Sequence, residues 1–264
     1  MESPRRARLA APLIFTIMVL AGCGDDANRP TLVEATTPTT ISEPSARAVG
    51  TAPPTMSPRQ LTGPSPTAFQ TVIATSTFDE VVVFDEPDGD EVARLPNPTV
   101  SGGPVIMVVD EIGEDWHRVT LPSGADDSGW VDAGAVDLAA HDYRIEIDTA
   151  TLTLRVFDRT AEIRTVDVGL DPDNTPRPGS TVFVTELLAA AEPDPVYGSY
   201  AYGLSGWADE FTTFTGAEGQ YGIHGTTDPA TIGVRGGPGS IRLADTDIEA
   251  LVEFLPLGVP VEVL

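Results

Sequence analysis

The sequence predicts a mainly β protein: two successive β bodies with one helix close to the C-terminus. Two observations carry this. Short runs of β-branched and aromatic residues recur from Val72 onward, separated by clusters of Gly, Pro, Asp and Ser. Apolar residues alternate with polar ones at period two, as in Tyr143, Ile145 and Ile147 against Arg144, Glu146 and Asp148. Helical spacing occurs in one stretch alone, Ile248, Leu251, Val252 and Leu255.

The chain begins with an export layout. Arg5, Arg6 and Arg8 precede an apolar run from Leu9 to Leu20, too short to span a bilayer comfortably. Leu20-Ala21-Gly22-Cys23 follows and resembles the bacterial lipoprotein box. That resemblance implies cleavage before Cys23, lipidation of its thiol, and a membrane anchor facing the cell wall from the outer side of the cytoplasmic membrane. The other reading is an ordinary cleaved signal with an incidental cysteine. Arg5-Arg6 raises a twin-arginine route, but the surrounding residues fit it poorly.

Residues 24–68 are rich in Pro, Thr, Ser and Ala and carry no apolar period. They read as a disordered or extended tether. Fully extended it would reach ~140 Å, and as a coil roughly 35–40 Å.

The first β body is expected over residues 69–139. Its strands are Val72 to Ala74, Val81 to Phe84, Val105 to Val109, Trp116 to Leu121 and Gly129-Trp130-Val131. Turns lie at Asp85 to Asp90 and Ser101 to Pro104. This pattern predicts a small barrel or sandwich. The Leu95-Pro96-Asn97-Pro98 turn, Asp115 to Val119 and the closing Gly129-Trp130-Val131 resemble a bacterial SH3-like domain.

The second body is expected over residues 141–264. Tyr143 to Asp148 and Leu152 to Val156 form a hairpin around Asp148-Thr149-Ala150-Thr151. Strands follow at Ile163 to Val168 and Thr181 to Thr185. The helix is capped by Asp245 or Thr246 and stopped by Pro256 and Gly258; Val259 to Leu264 closes as a strand.

Composition narrows the partners. The formal charge is −25 and every basic residue is arginine. Such a surface repels nucleic acid and anionic membranes, so no nucleic-acid partner is expected. Cys23 is the single cysteine, which excludes an internal disulfide and a cysteine-based metal site. His117, His141 and His224 lack metal-ligand spacing, so no metal or other cofactor is expected. Asp171, Asp173 and Asn174 hint at a calcium loop but read better as a turn. Gly203-Leu204-Ser205-Gly206-Trp207 is a near miss to a nucleophile elbow.

The chemistry concentrates late in the chain. Ile223-His224-Gly225-Thr226 precedes Gly239-Ser240-Ile241-Arg242-Leu243 by a short interval. With Tyr200 to Gly206, Gly219 to Gly222 and the closing helix and strand, this resembles the catalytic domain of the L,D-transpeptidases, the YkuD type, over roughly His141 to Leu264. The resemblance implies a β-sandwich acting on peptidoglycan stem peptides by acyl transfer. It places the base at His224 and the nucleophile at Ser240, where the family carries cysteine. Pro238 stands where the family carries a second histidine. Gly225 would let the backbone turn beside the imidazole and offer a carbonyl to orient it. Gly239 would allow close approach, with oxyanion donors in the backbone here. Arg242 would hold the loop or pair with a substrate carboxylate. Tyr197, Tyr200, Tyr202, Trp207 and Thr226 are expected to line the substrate groove, though the aromatics would serve equally as core. Two functions remain open: an acyltransferase working through Ser240, and an inactive peptidoglycan-binding relative of one. The oligomeric state is not legible.

Overall fold

The computed structural model describes residues 46–48, 59–60, 69–123, 127–207 and 219–264, within one unit spanning residues 43–264. The lipidation candidate Cys23 lies outside the described residues. The N-terminal strands are β1 (Ala46–Ala48), β2 (Arg59–Gln60), β3 (Thr71–Ser76), β4 (Glu80–Phe84), β5 (Glu91–Pro96), β6 (Ile106–Ile112), β7 (Trp116–Thr120), β8 (Ser128–Asp132) and β9 (Val136–His141). Next come β10 (Tyr143–Asp148), β11 (Thr153–Asp158), β12 (Ala161–Asp167), β13 (Gly169–Leu170), β14 (Thr181–Asp194), β15 (Gly198–Trp207) and β16 (Gln220–Thr226). The chain ends with β17 (Ile241–Ala244), α1 (Asp245–Val252) and β18 (Pro260–Val263). The mainly β expectation with one α-helix holds.

One sheet runs β2-β9-β3-β6-β7-β8-β4-β5, its strands antiparallel. Its inward residues Val81, Val83, Val105, Met107, Val119 and Val131 form a core of their own. Trp116 packs edge-on against Phe84, with centroids 5.3 Å apart, and is half-buried.

The second sheet runs β12-β11-β10-β18-β14-β15-β16-β17-β13, with β1 added along β14. The β10–β11 hairpin forms as the sequence indicates. Asp148 Oδ1 accepts from the Ala150 and Thr151 N–H groups at 2.9 and 3.0 Å, and Leu152 takes φ 57°. Ile145 then faces Val156, and Ile147 faces Leu154, all fully buried. The long strand β14 serves two partners. Thr181–Phe183 pair with β18, whereas Val184 onward pairs with β15 after a register shift. Side chains from both halves meet α1 in one core, which includes Ile147, Val184, Leu204, Ile223, Leu243 and Leu251. A third cluster, Ile73, Ile106 and Phe183, ties the two sheets together.

Three local expectations change. Strands β1 and β2 fall within the stretch expected to be tether, and each finds backbone partners on β14 or β9. The strand expected over Thr181 to Thr185 extends to Asp194, because β15 offers it a long antiparallel partner. Helix α1 has no side-chain cap: its N-cap is Ala244, and the Asp245 carboxylate instead accepts from the Ser199 N–H and hydroxyl, both at 2.6 Å.

Two outcomes follow from the junction between the sheets. Gly258 has φ 85°, and a Cβ there would lie 2.2 Å from Ile73 Cγ2. Gly258→Ala should cost roughly 2–4 kcal/mol from left-handed strain plus overpacking, read as a lower urea midpoint. His141 is buried at the same junction; desolvation lowers its pKa to about 4, with the Gly258 backbone and Asp142 opposing. The folded protein therefore binds fewer protons than the unfolded chain between about pH 4 and 6.5. This stabilisation is complete above pH 6.5 and is lost as pH falls toward 4, amounting to up to about 3 kcal/mol. Chemical denaturation of His141→Gln across this range should show a correspondingly shallower acid slope.

Candidate active site

Register assigns side chains to faces. Residues directly opposite one another share a face of the sheet. Leu188, Ala201, His224 and Arg242 form one cross-strand row, on β14, β15, β16 and β17. Glu186, Gly203 and Gly222 form the next row of the same face, and Ser240 extends it just ahead of the Ile223–Ile241 pair. The opposite face presents Leu187, Tyr202, Ile223 and Ile241 to the core. The parallel β16–β17 pairing thus brings together His224 and Ser240, sixteen positions apart in the chain.

His224 is fully buried. Its Nδ1 lies 2.8 Å from the Gly225 carbonyl oxygen. A carbonyl only accepts, so the neutral ring carries its proton on Nδ1 and a lone pair on Nε2. That nitrogen faces Gly239: a Cβ on Gly239 would lie 2.1 Å from it. Gly239 has φ 75°, so glycine is required both for the backbone turn and for the approach of the ring. The Gly225 carbonyl is thus the group against Nδ1 of the ring. Its missing side chain has a different reason from the expected turn: a Cβ there would lie 2.4 Å from Asp245 Oδ1 and 2.8 Å from Ile248 Cγ2. Gly225 is glycine so that α1 can pack on β16.

Ser240 is 4% exposed. Its Oγ accepts from the Gly222 N–H at 3.3 Å, and its carbonyl accepts from the Asp171 N–H at 3.0 Å. Accepting leaves the hydroxyl proton available for donation. A serine hydroxyl stays protonated at neutral pH and becomes a nucleophile only as a base removes that proton.

Arg242 is fully buried and holds the glycine loop ahead of Ser240. Its Nη1 donates to the Pro238 carbonyl at 3.0 Å, and its Nη2 donates to the Gly236 carbonyl. Burial lowers its pKa, with Asp171 opposing. Of the two roles open to it from sequence, these contacts are those of loop retention. The loop is also stitched to β13: Leu170 N–H donates to Val234 O at 3.1 Å, and Gly236 N–H to Leu170 O at 2.7 Å.

The expected groove residues separate. Tyr202 is 1% exposed, packs in the core and donates its hydroxyl to the Leu255 carbonyl at 3.4 Å. Tyr200 is half-buried against the same core. Both flank Ala201, which shares the face of His224, so both point to the other side; this corrects their reading as groove residues. Trp207 pairs with Gln220 through its backbone, and its side chain lies outside the described residues. Thr226 is buried and donates to the Pro195 carbonyl at 2.7 Å, fastening the β14–β15 turn. That turn carries Tyr197, whose ring centroid lies 5.0 Å from that of His224. Of the aromatic groove candidates, Tyr197 thus lies beside the imidazole, in a turn whose fold no sequence period reveals.

Asp171 accepts from the Asp173 N–H at 3.3 Å and from Asn174 Nδ2 at 2.6 Å, making a local turn. No cluster of His, Cys, Asp and Glu suited to a metal occurs among the described residues.

No protein-family model matches the chain. A Bacillus licheniformis protein, named provisionally as the L,D-transpeptidase YkuD, is 31% identical over 125 residues. The match covers 46% of this chain and 65% of that relative, just under two thirds of its length. Among solved structures, Bd1075 of Bdellovibrio bacteriovorus aligns at 21% identity, covering 47% of this chain and 48% of that one, with a TM-score of 0.35. An L,D-transpeptidase from Mycobacterium smegmatis aligns at 12% identity over 61% of this chain and 90% of that one, with a TM-score of 0.34. The chain is therefore similar in sequence, over nearly half its length, to a YkuD-type L,D-transpeptidase.

Proposed function

We propose that the protein is an L,D-transpeptidase-like cell-wall protein acting on peptidoglycan stem peptides, with Ser240 in the nucleophile position and His224 as base. The observation that carries this reading is the imidazole itself. Its Nδ1 is held on the Gly225 carbonyl and its Nε2 faces Gly239, the residue next to Ser240. Sequence similarity to the Bacillus licheniformis relative supports the peptidoglycan substrate class.

The reaction balances as acyl transfer. Ser240 Oγ attacks the amide carbonyl of the donor peptide while His224 Nε2 takes the hydroxyl proton. Collapse of the tetrahedral adduct breaks the C–N bond, and His224 returns that proton to the leaving amine. An amine of a second stem then attacks the seryl ester, losing its proton through His224 as Ser240 regains its hydrogen. Backbone N–H groups near Gly239 and Ser240 are the natural stabilisers of the oxyanion.

A second reading is favoured by the small exposure of Ser240, 4%. Together with proline at position 238, it fits a peptidoglycan-binding relative that has kept the fold and lost the turnover. In both readings the N-terminal β body over residues 69–139 is an SH3-like neighbour, residues 24–45 are a spacer ahead of the paired strands β1 and β2, and Cys23 anchors the mature protein to the outer face of the cytoplasmic membrane.

Intact mass spectrometry after incubation with a tetrapeptide stem or a carbapenem tests the chemistry. The enzyme reading expects a covalent adduct that Ser240→Ala abolishes and that Ser240→Cys forms faster by an order of magnitude or more, since the thiol ionises near neutrality. Absence of any adduct with the native chain rejects the enzyme and leaves the binding protein. For the anchor, Cys23→Ser should move the protein from the membrane fraction to the soluble fraction; retention on membranes rejects lipidation.

A further inference from the structure

Where β9 of the first sheet passes into β10 of the second, Asp142 alone joins the two strands. A cavity of about 430 Å³ lies beside it, large enough for a small organic ligand. Its lining includes Phe69, Asp142, Tyr143, Arg144, Arg159 and Pro260. The cavity is remote from His224 and Ser240. Strands β18, β14 and β15 separate β10 from β16, a span of ~19 Å at ~4.8 Å per strand.

The polar atoms that remain for a ligand here are mostly donors. Arg144 lies over the Phe157 ring, its Cζ 3.8 Å from the centroid. Its Nη1 donates to the Arg159 carbonyl at 2.6 Å and its Nη2 to Glu146 Oε1 at 3.0 Å, which holds the guanidinium and leaves Nε without a partner among the described residues. Arg159 stands in the β11–β12 turn at φ 55°, a left-handed backbone that suits glycine better than arginine. Its Nε and Nη2 both donate to Asp142 Oδ2, at 3.0 and 2.9 Å, and Nη1 remains. Asp142 Oδ1 is sealed from solvent, so neither oxygen of that acid is offered to a ligand. The Tyr143 ring packs against Phe254 with centroids 5.8 Å apart, and its hydroxyl makes no hydrogen bond among the described residues. Burial, Asp158 and Asp142 raise its pKa, so the phenol keeps its proton and can donate. Thr71 and Thr160 add hydroxyls to the wall.

Within the lining, two guanidiniums therefore meet one carboxylate, and that carboxylate is already committed. Beyond it, Glu146 is shared between Arg144 and Arg155, at 3.0 and 2.7 Å, and Asp158 stands exposed opposite Tyr143 in register. Phe69, 56% exposed, and Pro260 supply apolar surface at the same place. We propose that this cavity binds a carboxylate carried on an apolar body, with the carboxylate held by Arg159, Arg144 and the Tyr143 hydroxyl and the body lying against Phe69 and Pro260. The planar guanidinium fork matches a carboxylate. A doubly charged phosphate would pay more for the nearby Asp158 than a monoanion does. A free small acid and the C-terminus of a peptide share this chemistry. The site stands independently of any reaction at Ser240.

Saturation-transfer NMR titration of the full-length chain tests the site, with N-acetylphenylalanine, its primary amide and inorganic phosphate as probes. The acid should bind about five-fold more tightly than the amide, and more tightly than phosphate. Arg159→Gln should erase the difference between acid and amide. Phe69→Ser alters an exposed residue and should weaken the acid about three-fold. Asp158→Asn removes an exposed charge and should tighten the acid about two-fold while leaving the amide unchanged. Arg159 also holds Asp142, so its variant is checked by thermal midpoint; should it unfold, the Phe69 and Asp158 variants decide. A pentapeptide ending in phenylalanine separates the two sources within the proposal: tighter binding than the free acid identifies a peptide C-terminus, and equal or weaker binding a small acid. No binding of the acid, equal binding of acid and amide, a preference for phosphate, or an affinity that Phe69→Ser and Asp158→Asn leave unchanged overturns the site.

Discussion

The Arg242 guanidinium, buried beneath the glycine loop, is the constraint on which the site rests. Removing a cation from water is costly unless its hydrogen bonds are replaced. Here the replacements are the carbonyls of Pro238 and Gly236, with Asp171 supplying compensating charge. The loop must therefore wrap the guanidinium closely. A Cβ on Gly237 would lie 3.3 Å from Arg242 Cζ, and one on Gly169 would lie 2.8 Å from Nη2. Because Arg242 pairs with His224 across β16 and β17, the cation that anchors the loop also fixes how Gly239 meets the imidazole. One side chain thereby sets the position of Ser240 relative to the His224 ring.

Strand alternation distributes the remaining roles. The β15 residues Tyr202 and Leu204 serve the core, while Ala201 and Gly203 lie on the side of His224 and Ser240. The small residues on that side leave room for the His224 ring and for the Glu186 side chain, which lies over Gly203. The helix contributes by fixing the ends of strands. Asp245 holds Ser199 at the start of β15 through two hydrogen bonds, and Thr226 holds the Pro195 carbonyl of the adjoining turn. These ties place Tyr197 against the His224 ring.

Much of this was legible in the sequence, for identifiable physical reasons. The β10–β11 hairpin follows from period-two alternation and an Asp turn, both local. The apolar face of α1 follows from the spacing of Ile248, Leu251 and Val252, all buried. The pairing of His224 with Ser240 came from family resemblance, since nothing local brings them together; a parallel register does. The choice between groove and core for Tyr200 and Tyr202 was open for the same reason. Alternation within a strand shows that the two tyrosines share a face, but which face meets His224 is decided by the Ala201–His224 pairing. The length of β14 and the absence of a side-chain cap on α1 were hidden likewise, because the partners responsible, β15 and Ser199, are remote in sequence.

In the proposed reading, a hydroxyl rather than a thiol at position 240 alters what the imidazole must do. A cysteine beside histidine ionises before attack, so the base acts once and early. A serine requires proton removal during attack, and the imidazolium formed must be stabilised at that moment. In this protein the group behind Nδ1 is a backbone carbonyl at 2.8 Å, a dipole rather than a carboxylate charge. It fixes the tautomer and the orientation of the ring but offsets less of the developing charge than an acid would. Asp245, a nearby carboxylate, accepts from the Ser199 N–H and hydroxyl and lies against Gly225. The Gly225 carbonyl thus supplies orientation of the ring, and in the proposed acyl transfer that orientation, rather than a pre-formed thiolate, is what a hydroxyl at position 240 depends on.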